Sequence, residues 1–160
     1  ETAAKMIMNA NKIVIYGLGN SSAVALDFQH KLMRLGYNAI AFSDNHMQSI
    51  SASHLTKKDV VIGISHSGSS KDIVDALKIA KENGAFSISI TNNGKSPIVK
   101  QSDVALYTAS NETKYSILGL NSRIAQLAII NAIYYYISCQ DKKAFNTIKT
   151  TEESLQNKKF

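Results

Sequence analysis

The chain has almost no cysteine or proline, and it has no long apolar run. Among its 160 residues there is one cysteine, Cys139, and one proline, Pro97. A single cysteine cannot form an intrachain disulfide, which excludes a disulfide-stapled secreted fold and a multi-cysteine zinc site. No apolar run reaches the roughly 18 residues that a membrane-spanning helix needs. We therefore expect neither a membrane partner nor a metal.

The first residues lack the features of a targeting segment. Residues 1–5 have no basic start, no long apolar stretch and no initiator methionine. We therefore expect a cytoplasmic protein of which this chain is one piece.

The charge is basic but dispersed. Lysine and arginine number 18 against 12 acidic residues, which leaves a net charge of +6 and fits an anionic partner. No arginine-rich arm or interleaved aromatic stripe is present, so the pattern does not indicate that this chain reads nucleic acid directly.

The pattern of apolar residues predicts an α/β fold. The apolar fraction of 44% and the charged fraction of 19% are typical of one globular domain. Short, nearly continuous apolar runs alternate with helical spacing, which indicates a parallel sheet covered on both faces. We predict a three-layer α/β/α sandwich whose five-stranded parallel sheet has the flavodoxin-like order 2-1-3-4-5. The predicted strands are residues 12–16, 39–42, 59–64, 85–90 and 104–107.

Two helical segments carry specific expectations. The motif Ser69-x-x-Asp72 predicts a capping box at the start of the helix after the third strand. The longest helix is predicted from Ser116 to Ile137, and Cys139 just beyond it is expected to be buried or half-buried. The predicted apolar face of that helix consists of Ile117, Leu120, Ile124, Leu127, Ile130 and Ile133.

Two loops of small polar residues follow the first and third predicted strands. The first loop spans Gly17–Ser22 and the second spans Ser65–Ser70, and each leads into a helix. Backbone N–H groups at a helix start, the helix dipole and serine hydroxyls all favour an anion such as phosphate. In the order 2-1-3-4-5 both loops open into one crevice at the topological switch point. The sequence therefore predicts a phosphate site there.

Two other interpretations of these loops are open. Ser69 or Ser70 could do no more than cap a helix. The pattern Gly17-x-Gly19-x-x-Ser22, followed by Asp44 after the second strand, comes near a dinucleotide fingerprint. However, Ser22 replaces the third glycine of that fingerprint, and the serine-rich second loop has no role in it.

These motifs resemble the sugar isomerase (SIS) domain over nearly the whole chain, from about Lys12 to Ile137. The second loop is similar to the S-x-S-G-x-[ST] phosphate loop of that family. Residues 29–36 (QHKLMRLG) and 122–127 (SRIAQL) further resemble the C-terminal effector domain of RpiR-type transcription regulators. The resemblance implies a sugar-phosphate site at the carboxyl ends of the strands. Its implied ligand-binding residues are Gly19, Asn20, Ser21, Ser65, His66, Ser67, Ser70 and Glu112.

The same resemblance implies partners and a domain plan. Residues 1–140 would form the sugar-phosphate-binding domain, with 1–11 as a linker helix and 141–160 as a tail or short helix. The implied partners are a phosphorylated sugar, a second copy of the chain in a homodimer or a tetramer, and DNA through a helix-turn-helix domain absent from this chain. No cofactor is implied.

Two alternatives stay open beside the sensor interpretation. In an aldose–ketose isomerase, Glu112 would be the base and His46 or His66 the acid. In a dimerisation scaffold, the crevice would have no ligand. Arg123 and Gln126 are assigned either to the neighbourhood of the ligand or to a dimer interface.

Overall fold

A computed structural model describes residues 1–110 and 119–156 and contains a five-stranded parallel sheet. The strand order is β2-β1-β3-β4-β5, as predicted. Each strand lies within a residue or two of its predicted position. The strands are β1 Lys12–Gly17, β2 Ala39–Phe42, β3 Asp59–Ile64, β4 Phe86–Asn92 and β5 Val104–Thr108.

Helices cover both faces of the sheet and complete the three-layer sandwich. The helices are α1 Thr2–Met8, α2 Asn20–Arg34, α3 Asn45–Ser53, α4 Lys71–Glu82, α5 Pro97–Lys100, α6 Leu120–Gln140 and α7 Lys142–Gln156. One apolar core joins the sheet to α1, α2, α6 and α7. The second core joins the opposite sheet face to α3, α4 and α5. No helix in the described ranges is both long enough and apolar enough to cross a bilayer.

The central strands explain why the sheet forms where it does. Residues 13–16 of β1 and 60–64 of β3 are buried throughout, so both of their faces contribute to a core. Tyr16 is the largest fully buried side chain, and its hydroxyl shares a 2.9 Å hydrogen bond with Ser51 Oγ. Burial raises the pKa of Tyr16 to about 12, although the bond to Ser51 acts in the opposite direction.

Within residues 141–160, for which the sequence left a tail or a short helix open, Lys142–Gln156 forms the 15-residue helix α7. Ala144 of α7 is buried in the core, and Arg34 of α2 forms an ion pair with Glu152. Tyr37 donates a 2.5 Å hydrogen bond to Asp141, which also accepts from the backbone N–H groups that begin α7. The hydrogen bond from Tyr37 is the main reason why the pKa of Asp141 lies below its usual range.

Three expectations about helices were wrong. Leu120 and Ile124, predicted on the apolar face of the longest helix, are 51% and 69% exposed, and Ile117 lies outside the described residues. Ile130 and Ile133 are buried as predicted, and the rest of the buried face consists of Ser122, Gln126 and Ile137. Cys139 is exposed, because it lies on the side of α6 away from that face. The third error, the capping box at Ser69, concerns the site and is described below.

Candidate functional site

The sheet brings the two predicted loops to the same edge. Strands β1 and β3 are neighbours, and their last residues, Gly17 and Ile64, are register partners. The first loop therefore begins next to the second, at the carboxyl ends of the strands. This is the switch point of the sheet, where open α/β folds bind ligands.

The first loop turns sharply into α2. A Cβ at Gly17 would lie 2.6 Å from the carbonyl oxygen of Ser21, so only glycine permits this close approach. Gly19 is the N-cap residue of α2 with a φ of +53° and supplies no side-chain cap. Ser22 Oγ donates to the Gly19 carbonyl at 2.6 Å, and Asn20 and half-buried Ser21 stand at the helix start. The backbone N–H groups of Ser21 and Ser22 donate to the carbonyls of Leu18 and Gly19 at 3.1 Å, so the first loop is held by its own backbone.

The second loop is built around the hydroxyl of Ser65. Ser65 is buried, and its Oγ accepts the backbone N–H of Gly68 at 3.1 Å. The same oxygen shares a 3.1 Å hydrogen bond with Ser70 Oγ, in which either hydroxyl can donate. Ser70 is the N-cap residue of α4, but its side chain makes no cap hydrogen bond. The predicted capping box at Ser69 is therefore wrong: the N-cap is one residue later, and its hydroxyl points to Ser65.

The remaining residues of the second loop stay accessible. Ser67 is exposed, and its Oγ accepts the backbone N–H of Ser69 at 3.2 Å, so its own proton is available to a ligand. His66 is half-buried, and its Nδ1 is a buried atom without a hydrogen-bond partner among the described residues. Gly68 has a φ of +63° and is packed against Thr91 and Ser96.

This arrangement is suited to holding an anion. The first helical bond of α4 is donated by Val74 to the Ser70 carbonyl at 3.0 Å, so the backbone N–H groups of the preceding turn have no partner within the helix. With the α4 dipole and the hydroxyls of Ser65, Ser67 and Ser70, they form a cluster of hydrogen-bond donors. The α2 dipole adds to it from the first loop.

Other residues from the sequence analysis fall elsewhere. Glu112 lies outside the described residues. His46 is exposed on α3, whose N-cap Asp44 accepts the Met47 backbone N–H at 2.9 Å. A helix cap accounts for Asp44 without a ribose. Arg123 lines a groove between α2 and α6, whereas Gln126 is buried with both amide atoms unpartnered within the described ranges.

Sequence reasoning missed the residues behind the second loop. The His66 carbonyl accepts the backbone N–H of Asn92 at 3.1 Å and the hydroxyl of Thr91 at 3.3 Å. Ile98 donates to the Gly68 carbonyl at 3.0 Å. These contacts link positions some 25 residues or more apart, so no local pattern could reveal them. In the sequence, the only visible signal for these contacts was the polar run Thr91-Asn92-Asn93, at the end of β4 and just after it.

Comparison with known proteins defines the class. The SIS domain family model matches residues 6–136, and the chain belongs to that family. An HTH-type transcriptional regulator of Caldanaerobacter subterraneus is 39% identical over 99% of this chain and 56% of its own length. The regulator RpiR of Escherichia coli is 36% identical over 85% of this chain and 46% of its own length.

A solved structure has a closely similar fold. The Vibrio vulnificus NanR protein complexed with ManNAc-6P superposes with a TM-score of 0.93 at 25% identity, over 99% of this chain and 60% of that one. The chain thus spans about half the length of the curated relatives that it matches.

Proposed function

We propose that this chain is the sugar-phosphate-sensing domain of a bacterial RpiR-type transcription regulator. The observation that carries the proposal is the second loop, where Ser65, Ser67 and Ser70 surround the start of α4 beside the first loop. A phosphate needs several donors from one side, and this loop offers both hydroxyl and backbone donors. Two relatives are HTH-type regulators, and a third binds a sugar phosphate.

The sugar would extend from the phosphate over the crevice between the loops. Gly19, Asn20 and Ser21 would contact it from the first loop and His66 from the second. Glu112 remains a proposed contact. A ligand that binds one conformation of the regulator better than another shifts the population between them. DNA would be bound by a domain outside this chain, to which α1 and residues 1–11 would lead, and a DNA-binding role implies a cytoplasmic location.

We further propose that the domain is a homodimer joined through α2 and α6. Helix α6 has 21 residues and one charged side chain, Arg123. A helix that is apolar all round is normally covered all round, yet only one side of α6 packs on the sheet. Its exposed stripe comprises Leu120, Ile124, Ala128, Asn131, Tyr135 and Cys139, with Asn131 as its polar member.

A second copy of the chain fits this surface. Helix α2 lies beside α6 and exposes its own apolar residues, Leu26 and Met33. The groove between the helices, about 350 Å³, has Asp27 on one wall and Arg123 on the other. Arg123 forms no ion pair with any residue in the described ranges. Asp27 already pairs with Lys31 of its own helix, so the groove presents charges of both signs, and a surface of this kind can be self-complementary in a twofold dimer.

Ser65→Ala tests the proposed phosphate site. We expect binding of ManNAc-6P to weaken by roughly 10- to 100-fold, because a hydrogen bond to a charged group is lost. The loop should keep its shape, since the Gly68 N–H also donates to the Ser65 carbonyl at 3.2 Å. Isothermal titration calorimetry measures the change.

Ser69→Ala is the matched control for that variant. Ser69 lies in the same loop, but it is exposed and its hydroxyl donates only to the Ser67 carbonyl, at 3.3 Å. The affinity of the Ser69→Ala variant for ManNAc-6P should stay within about two-fold of wild type, because no ligand hydrogen bond is removed. Equal losses in both variants would count against Ser65 as a ligand contact. If instead the wild-type protein converts the sugar phosphate during the titration, the domain is an isomerase.

A further inference from the structure

Asn92 connects the second loop to the chain that leaves β5. Its backbone N–H donates to the His66 carbonyl at 3.1 Å. Its side-chain amide makes two further bonds to the backbone of Ser110, where Nδ2 donates to the carbonyl at 3.1 Å and Oδ1 accepts the N–H at 3.2 Å. Both backbone groups of Ser110 are thus held by one side chain.

The contact between Asn92 and Ser110 lies just beyond the last residue pair of β4 and β5. Asn92 is the last residue of β4, and its register partner in β5 is Thr108. The amide of Asn92 therefore continues the β4–β5 pairing two residues beyond the end of the ladder. The Asn92 side chain therefore fixes the position of the Ser110 backbone, two residues after the end of β5.

Two polar atoms next to this link have no partner among the described residues. They are Nδ1 of His66 and Oγ of Ser110. Asn92 forms hydrogen bonds to the backbone of both residues. Ser110 is about nine-tenths buried. A buried hydroxyl without a partner carries a desolvation cost, and a bound hydroxylated ligand would remove that cost.

We propose that Asn92 is a positioning residue that sets the affinity for the sugar part of the ligand. It does so by holding Ser110 at a fixed place relative to His66, so that the Ser110 hydroxyl and His66 Nδ1 bind sugar hydroxyls. The inference rests on the proposed sugar-phosphate function. The phosphate contacts are independent of the Asn92 side chain, because the second loop is held by the backbone of Asn92.

Asn92→Asp tests the proposal with the least change in shape. The carboxylate can still accept the Ser110 N–H, but it cannot donate to the Ser110 carbonyl and faces it with negative charge. We expect affinity for ManNAc-6P to fall about ten-fold, as one hydrogen bond is lost. Affinity for inorganic phosphate should change no more than in the control. Titration calorimetry with both probes gives the two ratios.

Asn93→Asp is the matched control. Asn93 is exposed and adjacent, and its backbone N–H donates to the Thr108 carbonyl at 2.8 Å, which the substitution leaves intact. It therefore adds the same charge near the site without cutting the link. Ser110→Ala is the second variant, because its hydroxyl holds no described residue and the fold should tolerate its loss. It should weaken ManNAc-6P binding and leave phosphate binding unchanged.

The outcomes separate this inference from the proposed function. Selective loss of ManNAc-6P binding in Asn92→Asp and Ser110→Ala supports the positioning role. If both variants bind ManNAc-6P as Asn93→Asp does, the positioning role is wrong while the sugar-phosphate function stands. Equal loss of ManNAc-6P and phosphate in Asn92→Asp also overturns it, since that result indicates general damage to the loop. If the wild type binds another sugar phosphate and not ManNAc-6P, that compound replaces ManNAc-6P in the same titrations and the same outcomes apply. Wild-type protein that binds no sugar phosphate overturns the proposed function itself.

Discussion

Gly68→Ala is expected to abolish sugar-phosphate binding and to lower the melting temperature by roughly 5–15 °C. Gly68 has a φ of +63°, which costs other residues about 1–2 kcal/mol. An added Cβ would also lie 2.6 Å from Ser96 Cβ and 2.7 Å from Thr91 Oγ1, and such overlap typically costs about 1–3 kcal/mol. Relief of the overlap requires the second loop to move away from β4. That movement displaces Ser67 and the start of α4 together.

Gly94→Ala separates backbone strain from damage to the loop. Gly94 also has a positive φ, +148°, but a Cβ there would meet no atom within 4 Å. The control should lose some thermal stability and keep its affinity for ManNAc-6P within about two-fold. Calorimetric titration and thermal melting of both variants provide the comparison. A Gly68→Ala protein that binds ManNAc-6P as tightly as wild type would mean that the second loop does not hold the phosphate.

Ile124→Glu is expected to dissociate the proposed dimer into monomers. Ile124 belongs to the exposed stripe and lies in the first half of α6. It lines the groove between α2 and α6 together with Arg123. In the proposed dimer the substitution would bury two carboxylates at the interface. The cost of burying charge should raise the dimer dissociation constant at least about 100-fold. Sedimentation equilibrium of wild type and variant over a range of concentrations measures this constant.

Ile50→Glu is the matched control for the interface. Ile50 is 53% exposed, comparable with the 69% of Ile124, but it lies on α3 in the helix layer across the sheet. The same substitution there should leave the protein dimeric. A wild-type chain that sediments as a monomer at about 100 μM would contradict the α2–α6 dimer. So would two variants that dissociate equally.

The sheet could be predicted from the sequence because its strands are short, apolar and separated by clear helical spacing. Strands β1 and β3 are buried on both faces, so they are nearly continuous apolar runs in the sequence. The loops after them are visible as runs of glycine and serine. The order of the strands then places those loops together. The location of the site therefore follows from local signals combined with a general rule for open parallel sheets.

The face of α6 could not be predicted, because α6 is apolar on nearly every side. Periodicity identifies a buried face only when the opposite face is polar. Leu120 and Ile124 fit a helical stripe as well as Ile130 and Ile133 do, and the sheet selects only the second pair. The buried amide of Gln126 gave no apolar signal at all. The same apolar residues that make the buried face of α6 ambiguous in the sequence also form the surface on which the proposed dimer rests.

The details of the site depend on contacts between distant positions. Ser70 turns its hydroxyl to Ser65 rather than capping α4, and a capping motif cannot distinguish the two arrangements. The link from Asn92 to Ser110 spans 18 positions and two strands. Such hydrogen bonds depend on strand register, which only the folded structure defines.

The central claim is that the crevice binds a phosphorylated sugar, and a thermal-shift comparison of matched ligands tests it most directly. The wild-type domain would be melted with ManNAc-6P, glucose 6-phosphate, glucosamine 6-phosphate and ribose 5-phosphate, with each unphosphorylated sugar and with inorganic phosphate. A ligand at 100 times its dissociation constant stabilises by about 2.7 kcal/mol, or roughly 5–10 °C at this size. We predict such a shift for at least one sugar phosphate and none for its unphosphorylated sugar. Equal shifts with and without the phosphate, or no shift with any sugar phosphate, would contradict the account.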